Sequence, residues 1–158
     1  MNKKPIKLTP SQAKEKIYSF CAYQERTHQE VKNKLYGYGL YRDEVEELIS
    51  HLIEEKFLNE ERFAKTFVGG KFRIKGWGRL KIVNALEAKV ITSNCIRIGL
   101  KEIDEQDYLA TLRDILQKKA ASIDSDNPFI IRDKAGRYAI SRGYEPELVW
   151  KEMKTLVP

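Results

Sequence analysis

The chain has 158 residues, 42% of them hydrophobic and 33% charged, with a formal net charge of +6. This composition suits one ordinary domain or a short series of small ones and excludes a fibrous or intrinsically disordered chain. No run approaches eighteen apolar residues, the first ten residues lack the apolar stretch of an export signal, and Cys21 and Cys95 stand alone. The expectation is a soluble cytoplasmic protein with buried free thiols.

Residues 1–8 read as a disordered basic arm with Lys3, Lys4 and Lys7. Thr9-Pro10-Ser11-Gln12 is a capping box with proline at the first helical position, and Ala13, Ile17, Phe20 and Cys21 form the buried stripe of the helix it opens. Thr27-His28-Gln29-Glu30 is a second capping box, starting a short helix through Val31 and Leu35 that stops at Gly37-Tyr38-Gly39. Val45, Leu48, Ile49, Leu52 and Ile53 follow at helical spacing. Asn59-Glu60-Glu61 begins a fourth helix, with acids at the positive end of its dipole and Phe63, Ala64, Phe67 and Val68 as its apolar stripe.

The pattern predicts helices over 60–74, 79–89 and 94–102, broken at Gly76-Trp77-Gly78 and capped at Thr92-Ser93-Asn94. Helices over 105–121, 128–142 and 146–156 follow, starting at Asp104, Asn127 and Glu145-Pro146. No run alternates with period two, so no strands are expected.

The helices fall into triplets that resemble one another. Val31, Leu35, Val45 and Leu52 shift by 51 residues onto Ile82, Leu86, Ile96 and Ile103, and a further 53 takes Ile96 and Ile103 to Val149 and Leu156. The third copy is weaker, with Ala135 and Ala139 in place of larger residues. A repeat of about fifty residues predicts an all-α, elongated and curved array of three three-helix units, of undecided hand, at 9–57, 58–103 and 104–158. On that reading a chain cut near Glu102 stays folded.

Charge is unevenly spread. Residues 58–103 hold ten Lys/Arg against four Asp/Glu, whereas residues 1–57 sum to +1 and residues 104–158 to −1. A cationic field concentrated in the middle third suits a polyanion or an acidic protein groove. Lys71, Arg73, Lys75, Arg79 and Lys81 are the candidate contacts, and Trp77 is either a stacking surface for a base or a packing residue between helices.

Catalytic traces are missing. His28 lies in a capping box and His51 in an amphipathic helix, Glu60-Glu61 do not converge, and Gly76-x-Gly78 and Gly70-Lys71 lack the rest of a nucleotide-binding motif. The expectation is no enzyme, no cofactor and no metal. A helix-turn-helix transcriptional regulator is the alternative, with Arg79 and Asn84 on its recognition helix.

The stretch Phe57-Leu58-Asn59-Glu60-Glu61-Arg62-Phe63-Ala64, with Phe67, Lys71, Arg73, Gly76, Gly78, Lys81-Ile82 and Leu86, resembles the RecX family of bacterial recombination regulators. An earlier element, Glu25-Arg26-Thr27-His28-Gln29-Glu30-Val31 with Lys34-Leu35, and a later one, Arg142-Gly143-Tyr144 before Glu147 and Val149, extend the likeness over residues 12–156. Two positions depart: Val90 stands where the family usually has glycine, and Asn59 where Asp is commoner. The resemblance implies binding to RecA filaments on single- and double-stranded DNA, with inhibition of strand exchange and co-protease activity, and it adds Arg26 to the candidate contacts. A monomer is expected, and the lack of a long apolar run predicts no membrane partner.

Overall fold

The computed structural model describes residues 7–158, which form nine α-helices and no strand among them. They are α1 (Pro10–Tyr23), α2 (His28–Gly37), α3 (Arg42–Glu54), α4 (Glu60–Arg73), α5 (Arg79–Ala88), α6 (Ser93–Leu100), α7 (Glu105–Ser122), α8 (Pro128–Ser141) and α9 (Pro146–Leu156). Six starts are held by the side chains predicted to hold them. Thr9, Thr27, Asn59, Thr92, Asp104 and Asn127 each accept a backbone N–H from the first turn, at 2.9–3.3 Å. The box at Thr9 is reciprocal, Gln12 accepting the Thr9 N–H at 3.1 Å. At Thr27 the return bond is absent, and the Glu30 carboxylate instead lies 3.9 Å from Lys89 of the next triplet. Of the arm expected at 1–8, residues 1–6 lie outside the described residues, while Leu8 donates its N–H to the Tyr38 carbonyl at 2.8 Å.

The positions that define the repeat face inward. Val31, Leu35, Val45, Leu52, Ile82, Leu86, Ile96, Ile103 and Val149 are buried, and so are Ala135 and Ala139. They do not make three equal cores. Ala13 to Leu58 enclose one apolar cluster, and Phe63 to Met153 enclose another that runs without interruption through the second and third triplets. A cut near Glu102 would strip Tyr108, Leu112, Tyr144 and Val149 from Phe72, Ile82 and Leu86, so the severable joint lies before α4 instead. Across that joint the recorded contacts are polar: Arg62 to Glu25 at 2.6 Å, His28 to Glu60 at 3.3 Å, and Lys89 to Glu30. The accessible surface is 10324 Å², against about 8,000 Å² for a compact globule of this size. The array is therefore drawn out.

Two glycines fasten the second triplet to the third. The Gly78 N–H donates to the Arg142 carbonyl at 2.8 Å and the Leu80 N–H to the Gly143 carbonyl at 2.9 Å, laying one inter-helix turn directly on the other. A Cβ on Gly78 would sit 2.3 Å from the Gly143 carbonyl carbon, and Gly143 itself has φ +100°, so neither position admits a side chain.

Val90 follows α5 with φ +60°, a left-handed conformation that costs a β-branched residue dearly. Its N–H bonds the Glu87 carbonyl at 3.0 Å and the Ile91 N–H the Leu86 carbonyl at 3.2 Å, a helix-ending turn built for glycine. The Val90 side chain is 65% exposed, so little packing is lost with it. Val90→Gly is expected to stabilise the unit formed by the second and third triplets by about 1 kcal/mol, raising its melting temperature by about 4–8 °C. A fall in the thermal unfolding midpoint would show that the Val90 side chain, which borders a cleft with His28, Lys32 and Ile49 of the first triplet, contributes more than the backbone strain costs.

Candidate functional site

Trp77 sits in the turn between α4 and α5, partly buried against the second core. Lys71 from the last turn of α4 and Lys81 from the first turn of α5 converge on it, their ammonium groups 4.8 and 4.5 Å from the ring centroid. Lys71 also lies 5.5 Å from the Phe67 ring and Lys89 5.9 Å from it. Three lysines thus share a floor of two aromatic rings, and neither Lys71 nor Lys81 enters an ion pair among the described residues. The indole face is occupied by ammonium groups, which favours contact with anionic oxygens over stacking with a base.

Arg73 and Lys75 point elsewhere. Both are exposed and line one cleft together with Asp107 and Asp114 of α7, without an ion pair to either acid among the described residues. Arg73 donates to the Glu102 carbonyl at 3.2 Å, and the Lys75 carbonyl accepts from Arg142.

Arg79 is committed to the junction of the second and third triplets. Its guanidinium pairs with Glu145 at 3.0 Å and Glu105 at 2.5 Å and lies 3.9 Å from the centroid of the Tyr108 ring, leaving the side chain 25% exposed. Its backbone N–H donates to the Tyr108 hydroxyl at 3.0 Å, which in turn donates to Glu145, closing a ring of bonds. Burial and the Glu145 bond push the Tyr108 hydroxyl well above the usual phenol range, and burial pushes Tyr144 up to about 12. Both phenols stay protonated donors, Tyr144 to the Gly76 carbonyl at 3.1 Å.

Arg26 stands apart on the first triplet. Its Nε donates to the Phe20 carbonyl at 2.9 Å and its guanidinium stacks 3.7 Å from the Phe20 ring centroid. The seven predicted residues therefore occupy four places: Lys71, Trp77 and Lys81 together, Arg73 and Lys75 together, and Arg79 and Arg26 each alone. Phe67 and Lys89 join the first group without having been predicted. Lys89 belongs to the basic run, and Phe67 belongs to the apolar stripe of α4 and to the stretch that carries the family resemblance. His28, read as a capping-box residue, reaches across the joint to Glu60. Of the two free thiols Cys21 is buried, with its pKa pushed up to about 11 by that burial, whereas Cys95 is half-buried. No described helix is long and apolar enough to cross a membrane.

Comparison with known proteins supplies the context. Residues 59–100 match the second three-helix domain of RecX and residues 105–153 the third. A regulatory protein RecX of Clostridium tetani (strain Massachusetts / E88) is 30% identical over 134 residues, covering 84% of this chain and 59% of that protein. One from Clostridium perfringens (strain 13 / Type A) is 29% identical over 123 residues, covering 76% and 57%. The chain thus spans less than two thirds of the length of these curated relatives. Among solved structures, RecX from Lactobacillus salivarius superposes with a TM-score of 0.84 at 21% identity, covering 93% of this chain and 96% of that one.

Proposed function

The chain belongs to the RecX family, and from that premise we propose that it binds RecA filaments on DNA and inhibits their recombinase and co-protease activities. The observation that carries this reading is the lysine cluster on Phe67 and Trp77, set in the triplet that holds nearly all the excess charge. Ammonium groups held over rings present charge without base-reading geometry, which suits a phosphate backbone of any sequence. The first and third triplets are close to neutral and supply mainly protein contacts. Joining weak contacts to neighbouring protomers in one chain raises the overall affinity by about 10²–10⁴-fold. The transcriptional-regulator alternative loses its principal base-reading candidate, because Arg79 is neutralised by two carboxylates.

The test is ATP hydrolysis by a recombinase on single-stranded DNA, with this protein added below stoichiometry, alongside direct DNA binding. Lys71→Glu with Lys81→Glu is expected to weaken DNA binding more than about tenfold at moderate salt and to reduce the salt slope by about 1.5 units. The same reversals at Lys118 and Lys151, which carry no share of the cluster, are expected to change affinity less than about twofold. Equal losses from the two pairs, or a recombinase indifferent to the unaltered protein, would overturn the reading.

A further inference from the structure

A second cation-on-aromatic surface lies on the first triplet, away from the lysine cluster. A groove of about 690 Å³ runs along α1 beside the end of α2, with Leu8, Phe20 and Tyr38 as its floor and Lys16, Tyr23 and Arg26 on its rim. We propose that this groove binds an acidic peptide segment of a partner protein, one that offers an apolar side chain between carboxylates.

Arg26 is the anchor. Only its Nε is engaged within the chain, so its two terminal nitrogens have no acceptor among the described residues and can take a carboxylate in a forked pair. Lys34 stands 5.4 Å from the Phe20 ring centroid and 5.9 Å from that of Tyr38. Arg26 and Lys34 thus share one aromatic floor. Neither they nor Lys16 enter an ion pair among the described residues, although this triplet holds nine carboxylates. Uncompensated cations over rings attract an anion, and the apolar floor rewards a hydrophobic side chain. Tyr23, 82% exposed at the rim, is an aromatic anchor with no contact partner in the core.

The local balance of charge selects a peptide. The first triplet, residues 9–57, holds seven Lys/Arg against nine Asp/Glu, and Glu15 lines the same groove, so a continuous phosphate chain meets a carboxylate and no sustained field, whereas a short peptide meets only the local cations. A peptide can turn its apolar or backbone groups toward Glu15 and its acids toward Arg26, Lys16 and Lys34. The chain's own residues 1–6 carry Lys3 and Lys4 and have the wrong sign.

The probe is a labelled ten-residue peptide of eight glutamates around a central Phe-Leu pair, followed by fluorescence anisotropy with the full chain. Saturable binding in the micromolar range is expected, weakening more than about tenfold for Lys16→Glu with Lys34→Glu and about threefold or more for Tyr23→Ala. Lys71→Glu with Lys81→Glu should leave it unchanged. Should the Lys16/Lys34 variant lose its helical circular dichroism, Tyr23→Ala, a change at an exposed side chain, decides the matter alone. No binding at about 1 mM protein, equal binding by the groove variants, or loss on changing Lys71 and Lys81 would overturn the proposal. So would displacement of the peptide by a thymidine oligonucleotide whose own binding falls in the groove variants, which would make the groove a nucleic-acid site. Recombinase inhibition is read separately, so either reading can fail without the other.

Discussion

Gly78→Ala is expected to destabilise the unit formed by the second and third triplets by about 3 kcal/mol or more. For roughly a hundred residues that lowers the melting temperature by more than about 10 °C. The backbone at Gly78 has φ −78° and ψ 165°, which alanine adopts freely, so the loss comes from collision alone. The new methyl would lie 2.3 Å from the Gly143 carbonyl carbon and 2.4 Å from the Tyr144 nitrogen, backbone atoms held by two hydrogen bonds across the junction. Relieving the clash means parting those bonds and opening the apolar seam beneath them. Gly70→Ala is the control on the same triplet: nothing lies within 4 Å of its new methyl, and helix propensity favours the change by up to about 1 kcal/mol. Calorimetry compares them, and the melting of the first core, which shares no residue with this seam, should move in neither variant. A Gly78→Ala protein melting within about 2 °C of the unaltered chain would mean that the two turns are not in contact in solution.

Arg79→Ala is expected to cost about 2–4 kcal/mol of the same unit's stability and little DNA affinity. The side chain and its partner Glu145 are each about three-quarters covered, so removing the guanidinium strands a carboxylate that also holds Tyr108. The Glu105 arm contributes less, because that carboxylate is 71% exposed and screened by water. The stacking on Tyr108 is lost as well. Arg79→Lys should recover only part of the loss, since an ammonium cannot span both carboxylates and lie flat on the ring. Thermal unfolding and DNA binding measured on the same preparation separate structure from ligand contact. An alanine variant of unchanged stability with DNA affinity reduced as far as in the Lys71/Lys81 variant would make Arg79 a phosphate ligand instead.

Much of this protein was legible in the order of its residues. Helix starts depend on short-range chemistry, a side-chain oxygen reaching an N–H two or three residues ahead, and the six caps from Thr9 to Asn127 could be read from that alone. The inward positions repeat because a helix turns every 3.6 residues, so the shift of Val31, Leu35, Val45 and Leu52 onto Ile82, Leu86, Ile96 and Ile103 carried the array. Concentration of charge in residues 58–103 was equally plain, since a sum over sequence needs no coordinates.

Contacts between units were not legible, because residues 26 to 68 positions apart are brought together only by packing. Arg79 and Lys81 look alike as members of one basic run, yet the first faces Glu145, 66 residues away, while the second lies over Trp77. Glu30 has the spacing of a capping-box acid, but the neighbouring triplet sets Lys89 near it and the return bond is not made. The repeat predicted three stacked units separable near Glu102, whereas the second and third share one apolar core with Gly78 packed on Gly143, and polar contacts join the first to them. Local chemistry determines which residues form helices and which faces turn inward. Which of the cations remain free to meet a ligand is decided by the carboxylates and rings that the tertiary fold places beside them.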